Sequence, residues 1–236
     1  MERWCVKVSL WNVDLIDKNR FSRPGDKLSY VKGIVWHYTA NPGASDTNHQ
    51  DYFDSLQNQN PYDNEKDLYA SAHIFIDKDS ATMIIPLDER AYHAGNSFYN
   101  SHYIGIELCI EKDGSFHPNT VKQAIAIGAH LCKTYKLNPL VDNIRHFDVT
   151  GKICPKPWVD SPALFTAFKN DVKRTMAGEV YEKVNIYDKS GKKIAEGELR
   201  DGVTWVPLRV VAESTGATVN YNAVTKTVTI IPKEVK

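Results

Sequence analysis

The stretch His146-Phe147-Asp148-Val149-Thr150-Gly151-Lys152-Ile153-Cys154-Pro155 carries the densest chemistry in the chain. It sets an imidazole and a thiol on either side of a glycine, with a lysine two residues before the thiol. A borderline-soft dication such as zinc takes that nitrogen and sulfur ligand pair. Upstream, Trp36-His37-Tyr38-Thr39 offers a second imidazole at the end of an apolar run. His37, His146 and Cys154 make three protein ligands. A zinc site with three protein ligands keeps a position open for water, the arrangement of a catalytic centre rather than a structural one.

Those residues need elements to hold them. Gly33 to Thr39 reads as a buried strand, and strand alternation puts Val35, His37 and Thr39 on one face. Tyr103 to Ile110 reads as a second strand. Its Ile104, Ile106, Leu108 and Ile110 suit a helix-covered face, which leaves Gly105, Glu107 and Cys109 on the other. A mid-strand carboxylate is costly to bury unless it is partnered or functional. Gly105 beside it leaves room for a close approach. In Ser71 to Asp77, Ser71, His73 and Phe75 share a face. One sheet surface is therefore expected to collect His37, His73 and Glu107, with a loop bringing His146 and Cys154 over it. Glu107 suits a general base, and Lys152 suits an ammonium that stabilises a tetrahedral oxyanion. The sum is metal-assisted hydrolysis of an amide.

The remaining pattern predicts an α/β fold with a central mixed β-sheet flanked by helices. Cys5 to Leu10 and Ala81 to Leu87 alternate like strands. Ala44 to Gln57 reads as a helix capped by Ser45 or Asp46. Pro118 to Tyr135 is an amphipathic helix with Val121, Ala124, Ile125, Gly128, Leu131, Cys132 and Tyr135 as its stripe, and Ser161 to Met176 is the last helix. The texture changes after Ala177. Val184 to Tyr187 and Lys193 to Leu199 read as strands, Trp205 to Glu213 holds a short helix, and Val219 to Tyr221 with Thr225 to Ile231 reads as a hairpin. Residues 1–177 are thus expected to form one domain and residues 178–236 a small α+β domain, near the lower size limit for independent folding.

Composition bounds the partners. With 29 basic and 29 acidic residues the formal net charge is zero, which argues against the basic footprint of nucleic-acid binding. No apolar stretch reaches membrane-spanning length, so no membrane partner is expected. The N-terminus, Met1-Glu2-Arg3-Trp4-Cys5, lacks the apolar core of a signal peptide, so synthesis in a cytoplasm is expected. Cys5, Cys109, Cys132 and Cys154 form no CxxC pair and read as reduced thiols, one of them a metal ligand.

Five segments, in order, now carry a resemblance: Trp36-His37-Tyr38-Thr39, Ser71-Ala72-His73, Tyr92-His93-Ala94-Gly95, Ile104-Gly105-Ile106-Glu107 and the decapeptide. As a set they resemble the type 2 N-acetylmuramoyl-L-alanine amidases, a family that includes phage endolysins, bacterial autolysins and peptidoglycan-recognition proteins. The resemblance implies zinc held by His37, His146 and Cys154, a catalytic Glu107, and Lys152 near the oxyanion. It implies peptidoglycan as the partner, cleaved at the amide between N-acetylmuramic acid and the L-alanine of the stem peptide. His93 and His73 are further candidates for contact with peptide or glycan, against a structural role for each. Action on the bacterial wall after release, as a phage or prophage endolysin, is the expected biology. A non-catalytic peptidoglycan-binding module and a cytoplasmic muropeptide-recycling amidase are the alternatives.

Val206-Pro207-Leu208-Arg209 through Val219-Asn220-Tyr221 resembles the small domain named after the copper amine oxidase N-terminal region. That name implies no copper here, because residues 178–236 contain neither His nor Cys. Wall binding or homodimerisation is the expected use of this segment.

Overall fold

A computed structural model describes residues 9–62, 66–178, 182–188, 190–200, 203–206, 208–222, 225 and 227–232. The strand expected from Cys5 lies largely outside these residues, as do Pro207 and the Asp201-Gly202 turn. Chain contacts divide the protein into two compact units, residues 1–177 and 178–236.

The first unit is built on a six-stranded mixed sheet. Its strands are β1 (Asn12–Val13), β2 (Gly33–Tyr38), β3 (Ile74–Ile76), β4 (Ala81–Met83), β5 (Tyr103–Leu108) and β6 (Asn143–Arg145), in the order β1-β4-β3-β5-β2-β6. Only β3 and β4 pair antiparallel; every other neighbour runs parallel. Asp77 Oδ1 accepts from the amides of Asp79 and Ser80 and closes the β3–β4 turn. The helices are α1 (Asp46–Ser55), α2 (Ser97–His102), α3 (Pro118–Tyr135), α4 (His146–Thr150), α5 (Lys156–Asp160) and α6 (Pro162–Met176).

One sheet face is the main core. Ile34, Trp36, Ile74, Ile76, Ile104, Ile106 and Leu108 are fully buried there against α3 and α6. Trp36 packs edge-on against Trp158 and Phe168, and its indole N–H donates to Asn143 Oδ1 at 2.8 Å. Burying that ring removes roughly 150–250 Å² from water, and the hydrogen bond removes the cost of burying its N–H. The buried stripe of α3 differs from the expected one: Thr120, Ile127 and Ala129 join Ala124, Gly128, Leu131 and Cys132, while Val121, Ile125 and Tyr135 are only partly buried. Helix α6 also packs against α3.

Several elements are shorter or different than expected. The strand read over Ser71 to Asp77 spans only Ile74–Ile76; Ser71 bonds to the Tyr92 backbone in a loop, while the His73 amide already donates to the Gly105 carbonyl of β5. The decapeptide begins as α4 rather than as a loop. Asp148 takes two charged bonds from the Arg145 guanidinium and one from the Arg145 amide, which closes the first turn. Strand β6 and helices α2 and α5 were not anticipated. The Ser45 cap is found, reciprocated by the Asn48 side chain. Among the described residues no helix is long and apolar enough to cross a membrane.

The second unit holds a three-stranded antiparallel sheet of β7 (Glu182–Tyr187), β8 (Lys193–Arg200) and β9 (Val203–Trp205). Helix α7 (Leu208–Ser214) follows, then an antiparallel hairpin of β10 (Thr218–Asn222) and β11 (Thr227–Ile231). Strand β9 was not anticipated; the other elements match the pattern read from sequence.

Candidate metal centre and active site

The sheet register brings the first residues together. In the β2–β5 pairing, Val35 stands opposite Gly105 and His37 opposite Glu107. In the β2–β6 pairing, Trp36 stands opposite Arg145, so His146 follows directly beside His37. The result is a 3.1 Å separation between His37 Nδ1 and His146 Nδ1.

Cys154 arrives by the local fold of the decapeptide. Helix α4 stops at Gly151, whose φ of 77° lies in the left-handed region that glycine enters without strain. The chain then turns back. The Phe147 amide donates to the Cys154 carbonyl at 2.8 Å and fixes the return. Cys154 Sγ lies 3.8 Å from His37 Nδ1, and one ligand atom from each of His37, His146 and Cys154 falls within 4.8 Å of the others. All three residues are buried.

This donor set fits zinc. Bonds of about 2.0 Å to nitrogen and 2.3 Å to sulfur in a tetrahedron separate ligand atoms by roughly 3.3–3.6 Å. The observed 3.1 Å and 3.8 Å bracket that spacing. Protonation agrees. Burial, with the charge of Lys152, lowers His146 to about 4, so the ring is neutral at physiological pH. Burial and the neighbouring rings of His93 and His146 push His37 well below its usual 6.5. Burial and the charge of Glu107 raise the Cys154 thiol to about 12, opposed by a Tyr38 backbone hydrogen bond and by Lys152. A dication on the sulfur would reverse that balance and expel the thiol proton.

Glu107 borders this cluster. Its Oε2 is enclosed and has no hydrogen-bond partner among the described residues, although the residue as a whole is only partly buried. Burial raises its carboxyl to about 8, with Lys152 pulling the other way. An arginine-paired structural carboxylate would look different. Glu89 is such a case: Arg23 grips it at 2.8 and 3.2 Å, and its pKa is lowered. Lys152 itself is exposed, yet its charge bears on Glu107, His37, His146 and Cys154 together.

The two remaining candidates find their hydrogen-bond partners within the protein. His73 has no solvent exposure, and both ring nitrogens are committed: Nδ1 accepts from the Gly105 amide at 2.9 Å and Nε2 donates to the Glu89 carbonyl at 2.9 Å. No ring nitrogen is left for peptide or glycan, so His73 ties strands and loop together. His93 is also enclosed by protein, with Nδ1 3.1 Å from His37 Nε2 and Nε2 3.1 Å from the Tyr103 carbonyl. It contacts His37 at Nε2, the ring nitrogen that does not face His146 and Cys154. Burial pushes it, too, well below 6.5. Sequence reasoning missed Asn100. Its Oδ1 accepts from the amides of His93 and Ala94 at 3.1 and 2.8 Å and pins the loop that carries His93. Nothing in its spacing marked it, since α2 itself was not anticipated.

Comparison with known proteins agrees with this architecture. Residues 27–157, over half of the chain, match the family model described as N-acetylmuramoyl-L-alanine amidase. Residues 182–236 match the model described as copper amine oxidase N-terminal domain. The chain is 42% identical over 196 residues to N-acetylmuramoyl-L-alanine amidase BlyA of Bacillus subtilis (strain 168), covering 75% of this chain and 51% of that one. It is 39% identical over 203 residues to the amidase CwlL of Bacillus licheniformis, covering 81% and 54%. The chain thus spans about half the length of these relatives. Among solved structures, the catalytic domain of XlyA superposes with a TM-score of 0.57 at 28% identity, covering 70% of this chain and 99% of that one. By the extent of these matches, the chain belongs to the N-acetylmuramoyl-L-alanine amidase family.

Proposed function

We propose that residues 1–177 are a zinc-dependent hydrolase that cleaves the amide between N-acetylmuramic acid and L-alanine in peptidoglycan. The observation that carries this reading is the convergence of His37, His146 and Cys154 beside Glu107, a carboxyl with an enclosed, unpartnered oxygen. His37 Nδ1, His146 Nδ1 and Cys154 Sγ would hold the metal. Bound there, zinc supplies Lewis acidity toward the scissile carbonyl and toward water. Glu107 takes the proton of the attacking water and returns it to the departing amine of L-alanine. Its carboxyl, held near 8 by burial, shifts toward the ionised form when positive charge lies beside it. The Lys152 ammonium stabilises the negative charge that develops on the carbonyl oxygen.

The wider role proposed is that of a phage- or prophage-type endolysin acting on the wall, with residues 178–236 as a wall-binding or self-association unit. Supporting the latter, Leu208, Val228, Ile230 and Ile231 expose apolar side chains in that unit. The decisive experiment incubates the zinc-loaded full chain with purified walls. New alanine amino groups without new reducing sugar ends are expected, and Cys154→Ser abolishes their release. Reducing ends without amino groups, or full release by Cys154→Ser, overturns the proposal.

A further inference from the structure

His37 offers the cluster only one of its two nitrogens, and the protein behind it decides which one is bare. The Tyr103 carbonyl oxygen can only accept, so the neutral His93 ring carries its proton on Nε2. That tautomer leaves His93 Nδ1 as an acceptor. The 3.1 Å bond to His37 Nε2 then requires the proton on His37 Nε2. His37 Nδ1 is left with a free lone pair, and it is this atom that faces His146 Nδ1 and Cys154 Sγ.

A second observation shows that the fold makes room for this relay. A Cβ on Gly105 would lie 2.4 Å from His93 Cγ and 2.8 Å from its Cβ and Cδ2, distances no side chain tolerates. The sequence pattern marked Gly105 as a place of close approach, and the approaching group is the His93 ring. Asn100 holds the backbone of His93 from the other side. The ring is therefore fixed by a carbonyl, an asparagine and a glycine.

We propose that His93 is a positioning residue that locks His37 in the Nε2–H tautomer and presents Nδ1 as a metal ligand, and that glycine at 105 admits it. This rests on the reading of His37 as a zinc ligand. Ligating imidazoles generally hand their second N–H to an acceptor that orients them, and loss of such a partner costs about 10–100-fold in metal affinity. Here the acceptor is a second imidazole relaying to backbone.

The test uses the full chain. Nitrogen-15 NMR of the metal-free protein reads the His37 tautomer, and competition against a chelator reads zinc affinity. The wild type is expected to show Nε2–H on His37. His93→Leu is expected to lose that fixed tautomer and to bind zinc about 10–100-fold more weakly. His93→Asn, whose Oδ1 takes the place of Nδ1 as acceptor, restores most of both. Gly105→Ala behaves like His93→Leu. A wild type that binds no zinc defeats the metal reading itself. A zinc-binding wild type whose folded His93→Leu variant keeps both tautomer and affinity overturns the positioning role alone. An Nδ1–H signal on His37 in the metal-free wild type overturns it without any variant.

Discussion

His37 and Glu107 stand opposite each other in the parallel pairing of β2 and β5, so one sheet face presents a cluster imidazole beside a carboxyl whose Oε2 is enclosed and has no partner among the described residues. Parallel pairing leaves no freedom in that juxtaposition: a one-residue slip would turn Glu107 into the helix-covered core. The carboxyl is thus held beside the cluster without being needed to hold the cluster together. Glu107→Gln keeps shape and removes the base. It is expected to retain zinc and to lower kcat on wall fragments by about 10²–10⁴. Equal turnover by the zinc-loaded Glu107→Gln protein would remove Glu107 from the mechanism.

The same carboxyl makes stability depend on pH in the metal-free protein. Its folded pKa of about 8 lies above the ordinary 4.5 of a solvated glutamate. Between those values the folded state holds a proton that the unfolded state releases, so stability falls as pH rises. The loss is complete above about 8 and amounts to at most roughly 5 kcal/mol. Glu107→Gln lacks this slope. Denaturant unfolding of chelator-treated protein at pH 5 and pH 9 should show the variant gaining on the wild type at the higher pH. Parallel profiles for the two proteins contradict the enclosed carboxyl.

Much of this site was legible because strand alternation and register are read from the same residues. Val35 and His37 on one face, and Gly105 and Glu107 on the other strand's matching face, follow from a period of two. The Pro118–Tyr135 helix was legible from its stripe and its proline at the first turn. The sequence left His73 and His93 open between substrate contact and a structural role, and it did not display their partners. Their partners are backbone atoms of Glu89, Gly105 and Tyr103, and a sequence does not display carbonyls and amides. Strand β6 is only three residues long, too short to establish a period, yet it sets His146 beside His37.

Lys152 separates chemistry from folding. Its side chain is exposed and follows the turn at Gly151, so removing it should leave stability within about 0.5 kcal/mol. Lys152→Ala is expected to bind zinc as the wild type does and to lose about 10²–10³ in kcat, the scale of one oxyanion-stabilising group. A variant with unchanged kcat and raised KM would instead make the ammonium a binding group for the ground-state substrate.

The two units can be tested apart because their chemistry does not overlap. Every candidate ligand lies before residue 155, and residues 178–236 carry no His or Cys. The main core, with Trp36, Trp158 and Phe168, is complete within residues 1–177. A chain shortened to residues 1–177 is therefore expected to fold, to bind one zinc and to cleave soluble wall fragments at the full-length rate. If the C-terminal unit binds the wall, the shortened chain stays in the supernatant when insoluble walls are pelleted. If that unit serves self-association, pelleting is unchanged while the sedimentation mass of the full chain, twice that of its monomer, falls to the monomer value in the shortened one. Failure of the shortened chain to hold zinc would show that the metal centre depends on residues beyond 177, against the self-contained core and donor set of the first unit.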